Sequence, residues 1–296
     1  MRWERGRKSD NVVDAASGSG GRRLGGRGRM SLTGVAIVVV VGLMMGQDPL
    51  QILGQLLGQG GLSAPPAATQ TAPSGQQTST SADPQREFVR AVLGSTEDVW
   101  GAILAKSKYP YQQPKLVLFK GRVNSACGMA TSASGPFYCP ADQQIYLDMD
   151  FFRELEQRFS AAGDFAQAYV IAHEVGHHVQ TLTGLTRQVN QARQHEQNVE
   201  GAEGLLVRQE LQADCLAGTW AHYAQKQLQW LEPGDLEEAL NAANAIGDDR
   251  LQKQARGTVM PDAFTHGTSA QRERWFRLGF DSGDPGRCDT FKAAKL

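Results

Sequence analysis

The chain has 296 residues, enough for one or two domains with a sizeable core. Its 30 Lys+Arg against 31 Asp+Glu give a formal net charge of −1, which excludes a globally basic nucleic-acid binder and an acidic disordered chain. The 4 Cys are too few for a disulfide-dense miniprotein, and 41 % hydrophobic with 21 % charged residues is ordinary for a globular protein.

The charge is unevenly distributed. Residues 1–30 carry 8 Lys+Arg and 3 Asp+Glu, whereas residues 31–84 carry two Asp and no basic side chain. Residues 1–29 are rich in Arg, Gly and Ser and poor in apolar side chains, so they read as a basic, disordered cytoplasmic head. Arg22, Arg23, Arg27 and Arg29 abut the uncharged run 30–46, MSLTGVAIVVVVGLMMG. Its β-branched stretch has no polar face and suits lipid, at the short end for a spanning helix. Residues 30–57 therefore read as a transmembrane anchor with its juxtamembrane segment. The Arg cluster predicts a single pass, with the N-terminus cytoplasmic and the rest extracytoplasmic. A cleaved signal peptide is the competing reading, but the head is long for one and no Ala-x-Ala site follows closely. Residues 58–84, rich in Gly, Ser, Thr, Pro and Gln, read as a flexible linker, leaving 85–296 as the body.

In the body, Phe88, Val92, Val99, Ile103 and Leu104 predict a helix that Gly94 interrupts. Leu116–Phe119 and Gln144–Asp148 (QIYLD) predict buried strands, with a Gly/Ser-rich loop or hairpin holding Cys127 and Cys139 between them. Helices are expected from Asp150 to Phe159 and from Phe165 to Leu182, with Gly184 as a stop, then near 186–200, 204–229, 235–245 and 268–279. Strands early and helices late make the fold class α+β rather than alternating units.

The chemistry concentrates in AHEVGHH. His173 and His177 are spaced i and i+4, so on a helix their imidazoles share one face and can reach one Zn²⁺. Glu174 follows His173 and can serve as general base towards a water at the ion. Two ordinary histidines on a polar face are the bland reading, which the apolar flanks AYVIA and VGHHVQ oppose. A further His at 183 would complete one extended zincin pattern. The residues at 180 and 183 are Gln180 and Thr183, so that pattern is absent. The third ligand is sought among carboxylates. Glu196, Glu200 and Glu203 lie in a polar, solvated stretch. Glu210 lies in RQELQADCLAGTWA, where Ala213 and Ala217 allow a close helix approach. Asp214, one turn further, can accept the free N–H of a ligating imidazole and fix its tautomer.

HEVGHHVQ, ELQADCLAGTW and THGTSAQRERWF together resemble the bacterial putative neutral zinc metallopeptidase family, from about residue 85 to the C-terminus. RGRKSDNVVD and the apolar segment are similar too, and the Glu-x-x-x-Asp half also resembles gluzincins. The resemblance implies a zincin-like domain with a small sheet, an active-site helix and a helical C-terminal half. It implies zinc ligation by His173, His177 and Glu210, a base role for Glu174, and hydrolysis of peptide bonds in a protein or peptide substrate.

His266 precedes a helix that Thr268 or Ser269 can cap, and it reads either as a donor to the oxyanion or substrate or as a structural histidine. Arg272 and Arg274 read as a solvated helix face. His178 points away from His177, and His195 and His222 read as ordinary. Cys127–Cys139 and Cys215–Cys288 are the expected disulfides, against four reduced thiols as the alternative. The sequence supports a membrane-anchored zinc endopeptidase. The alternatives are a tethered non-catalytic zinc module that binds protein, and a structural anchor carrying the motif by accident. An extended substrate is expected to pair with a free edge of the QIYLD strand.

Overall fold

A computed structural model of the chain describes residues 1–15, 83–159, 163–195 and 197–296. The first helix, α1, spans Pro84–Leu104; its cap, Asp83, accepts a hydrogen bond from the Gln85 N–H, and Pro84 sits in the first turn. Gly94 does not interrupt it. A Cβ there would lie 2.4 Å from the Arg7 carbonyl oxygen, so the bare glycine lets the N-terminal segment cross the helix.

That segment corrects the expected disordered head. Trp3 packs edge-on against Phe88 at 5.4 Å between ring centroids. Residues Val12–Asp14 form β1, which pairs in parallel with β2, Lys115–Phe119, placing Val12 beside Leu116. Low apolar content misleads here because polar atoms anchor the segment. The buried Glu97 carboxylate accepts hydrogen bonds from Arg7, Ser9 and Asn11.

The expected topology falls with it. Residues 12–14 and the body share one sheet, so a single crossing between them that leaves head and body on opposite sides is ruled out. The run 30–46 and the linker 58–84 up to residue 82 lie outside the described residues. Among the described residues, no helix is long and apolar enough to cross a membrane.

The main sheet has the order β1-β2-β6-β5, with β6 being Gln144–Asp148 and β5 being Phe137–Cys139. β6 runs parallel to β2 and antiparallel to β5. The QIYLD strand is therefore interior, flanked on both sides, and β1 and β5 are the edges. The antiparallel hairpin of β3 (Arg122–Ser125) and β4 (Gly128–Thr131) is tied to β5 by the Cys127–Cys139 disulfide.

Among the described residues, seven more α-helices follow: α2 (Phe151–Phe159), α3 (Asp164–Thr183), α4 (Leu185–Gln194), α5 (Leu205–Leu228), α6 (Asp235–Ala245), α7 (Asp248–Arg256) and α8 (Ser269–Ser282). Strands early and helices late give the expected α+β class. α7 was not foreseen because DDRLQKQAR carries no apolar stripe; its buried residues are Asp248 and Gln252. The principal core joins α1, the sheet, α3 and α5 through residues such as Trp100, Leu116, Ile145, Phe165, Tyr169 and Trp220, all at most 1 % exposed. The Cys215–Cys288 disulfide fastens the C-terminal tail to α5, so both expected pairings form.

Candidate metal centre

α3 supplies the first half of the centre. It is buried over most of its circumference, and it carries polar side chains among the apolar ones: His173, Glu174, His178 and Gln180 are buried and His177 is partly so. Tight packing brings α5 alongside. A Cβ on Gly176 would meet the Ala213 carbonyl oxygen at 3.0 Å and the Ala213 Cα at 3.1 Å, so glycine inside the HEVGH segment permits the approach. One turn before Ala213, Glu210 then faces both histidines.

The Nε2 of His173 lies 3.2 Å from Glu210 Oε2, and the Nε2 of His177 lies 3.4 Å from Glu210 Oε1. One ligand atom from each of these three side chains lies within 4.8 Å of the others. A tetrahedral ion with bonds of about 2.0–2.1 Å separates its ligands by roughly 3.3–3.4 Å. Two imidazole nitrogens and a carboxylate are also the donor set that zinc takes when a fourth position stays open. The residues fit zinc.

Both rings are turned by acceptors behind them. His173 Nδ1 lies 2.8 Å from Asp214 Oδ1, and His177 Nδ1 lies 2.9 Å from Gln180 Oε1. Each Nδ1 therefore carries its hydrogen, and each Nε2 faces Glu210.

Asp214 is fully buried and heavily partnered. Arg272 on α8 donates from Nε to Oδ2 at 2.9 Å and from Nη2 to Oδ1 at 3.0 Å, and the Tyr169 hydroxyl donates to Oδ1. Arg272, expected on a solvated face, is thus buried under the centre. Its spacing held the missed signal, because it lines up with Trp275, Phe276 and Gly279 on the buried face of α8. Tyr169, four residues before His173, was readable by the same helical spacing. Gln180, which in the sequence marks only the absence of the extended zincin pattern, lies three residues after His177 and so within reach of its Nδ1.

Charge coupling is strong. Burial opposes protonation of His173, but Asp214 and Glu210 outweigh it and raise its pKa to about 10. His177 is raised in the same way, with Glu210 as the main counterweight to burial. Burial would raise the Glu210 and Asp214 pKa values; instead His177 and His173 hold Glu210 well below the carboxylate range, and Arg272 and His173 lower Asp214.

Glu174 is buried beside His173, and its charge favours the protonated form of His177. His266 reaches the centre from the loop before α8. Asp248 holds that loop: its Oδ2 accepts from the backbone N–H groups of Thr265, His266 and Gly267. His266 Nδ1 lies 3.3 Å from Asp248 Oδ1, which leaves Nε2 free. The His266 side chain is 48 % exposed, so desolvation lowers its pKa only weakly, and Asp248 and Glu210 raise it.

The remaining histidines stand apart. His178 faces the Tyr138 hydroxyl and the Gln112 carbonyl, and His222 the Phe280 carbonyl; His195 is exposed behind α4. Of the other acids, Glu200 and Glu203 are exposed, and Glu196 lies outside the described residues. A second acidic group, Asp164, Asp235 and Glu238, is met by the Met1 ammonium, 2.9 Å from Asp164 and 3.4 Å from Asp235.

The family model described as putative neutral zinc metallopeptidase matches residues 1–291. The uncharacterized protein YpfJ of Escherichia coli (strain K12) is 49 % identical over 293 residues, covering 98 % of this chain and 99 % of its own. The uncharacterized protein Rv2575 of Mycobacterium tuberculosis (strain ATCC 25618 / H37Rv) is 46 % identical over 234 residues, covering 74 % of this chain and 76 % of its own. No solved structure matches the chain.

Proposed function

The chain belongs to the putative neutral zinc metallopeptidase family, and from that premise we propose that it is a zinc-dependent endopeptidase acting on protein or peptide substrates. The observation that carries this reading is the convergence of two outward-turned Nε2 atoms on the Glu210 carboxylate, with a second acid, Glu174, close enough to bias the charge of His177. His173, His177 and Glu210 hold the ion. When bound there, zinc supplies Lewis acidity that activates a water and polarises the scissile carbonyl.

The chain's own residues do the rest. Asp214 and Gln180 keep the two rings turned towards the ion, and Arg272 and Tyr169 hold Asp214 in place. Glu174 accepts a proton from the attacking water as its oxygen bonds to the carbonyl carbon. It returns that proton to the amide nitrogen as the C–N bond breaks. His266, fixed through Nδ1 by Asp248, presents Nε2 to the oxyanion that develops on the carbonyl oxygen.

The test is Glu174→Gln, assayed on a panel of unstructured proteins with and without chelator. The variant retains zinc and loses about 10²–10⁴-fold in rate, the usual contribution of a positioned acid–base group. Undiminished cleavage would remove Glu174 from the mechanism. A zinc-loaded wild type that cleaves nothing would favour a non-catalytic zinc module.

A further inference from the structure

The Nδ1 partner of His177 is an amide, and an amide by itself does not choose which ring nitrogen bears hydrogen. Its oxygen would accept from Nδ1–H, while its nitrogen would donate to a bare Nδ1. Two backbone carbonyls make the choice. Gln180 donates from Nε2 to the Gln209 carbonyl at 2.7 Å and to Gln212 Oε1 at 3.0 Å. Gln212 in turn donates from Nε2 to the Cys288 carbonyl at 2.9 Å. A carbonyl oxygen only accepts, so each of these contacts must be made by the amide NH₂. Gln212 therefore turns its oxygen to Gln180, and Gln180 turns its oxygen to His177. Both amides are buried, so water does not compete for these positions.

We propose that Gln180 and Gln212 are positioning residues that impose the Nδ1–H tautomer on His177. They make its Nε2 a ligand and link that ring to the tail fastened by Cys215–Cys288. The assignment rests on the metal-site reading above, and it gives the two ligand histidines different supports. His173 is held by a charged group, Asp214 with Arg272. His177 is held by a neutral relay that runs from α3 across α5 to the C-terminal tail.

The experiment compares the full chain with Gln180→Leu, Gln212→Leu and Gln180→Glu. Zinc affinity is measured by competition with a chelator. The His177 Nδ1–H proton is followed by ¹⁵N-edited NMR on the metal-free chains at alkaline pH, where the ring is neutral and one nitrogen alone bears hydrogen, together with thermal stability. Gln180→Leu is expected to weaken zinc binding about 10–100-fold, the usual cost of losing a group that orients a metal ligand, and to lose the Nδ1–H signal. Gln212→Leu weakens binding less, because the Gln209 carbonyl still orients Gln180. Gln180→Glu keeps an acceptor at Nδ1, so the signal and most of the affinity remain although stability falls; a purely structural role would not give that rescue.

A folded Gln180→Leu chain with unchanged zinc affinity and an unchanged Nδ1–H signal would overturn the proposal. If that variant does not fold, Gln212→Leu decides, and undiminished affinity there would overturn it. A wild type that takes up no zinc would defeat the metal reading. The Nδ1–H signal and its dependence on Gln180 would then decide the relay on its own.

Discussion

Replacing Arg272 with Met tests how the centre is supported from beneath. The change keeps a long apolar stem on the buried face of α8 and removes the guanidinium. Asp214 then keeps the Tyr169 hydroxyl and His173 Nδ1 at Oδ1 and loses both hydrogen bonds from Arg272, including the bond at 2.9 Å to Oδ2. Both members of this pair are almost completely buried, 3 % and 0 % by side chain, so solvent offers little relief. Breaking such a pair by removing one partner costs up to about 3–5 kcal/mol; here the protonated His173 still meets the Asp214 charge at Oδ1, while Oδ2 is left buried without a donor. Solvent-exposed ion pairs in general, screened by water, are worth about 0–1 kcal/mol. At about 2–4 °C per kcal/mol for a body of this size, Arg272→Met should lower the Tm by roughly 6–20 °C. Thermal and urea unfolding of the metal-free chain, with chelator present, would measure it. Adding Asp214→Asn to Arg272→Met removes the stranded charge, so the double variant should lose much less than the two single losses added together. A loss below about 1 kcal/mol, or simple additivity, would refute the argument.

Three further outcomes follow from the same geometry. Gly176→Val would force the Ala213 backbone away and separate His177 from Glu210; a loss of about 1–3 kcal/mol is expected, and weaker zinc binding in a chelator titration should accompany it. The pH dependence follows from the raised histidines. Zinc needs neutral rings, so its apparent affinity should climb between pH 6.5 and about 10, with protons released on binding, as calorimetry in buffers of different ionisation enthalpy would read. In the metal-free chain the sign reverses. The raised His173 contributes stability that is complete below its ordinary pKa of 6.5 and is lost as pH climbs towards about 10, which unfolding curves across that range would reveal.

What was legible in the sequence is what local spacing determines. His173, Glu174 and His177 declare themselves within one helical turn, and Glu210 with Asp214 does so within another. Ala213 correctly forecast a close crossing, although Gly176 on the opposite helix was needed to complete it. Arg272 was misread because its burial depends on where α8 lands, which no window of α8 alone contains. Residues 1–15 were misread for a related reason. Hydrogen bonds to Glu97, more than eighty residues away, order a polar segment that composition alone assigns to solvent. The membrane topology was drawn from charge beside an apolar run, and that inference has no access to a strand on the far side of the run that rejoins the sheet. The QIYLD strand was correctly found but misplaced, since strand order is a property of the assembled sheet.

The central claim is that three side chains on two helices hold one divalent ion. Its most direct measurement is the zinc content of the purified full chain, beside that of Glu210→Ala, at neutral pH. One zinc per wild-type chain and a large loss in the variant are expected. A wild type without zinc, or a Glu210→Ala chain that keeps its full complement, would contradict the account.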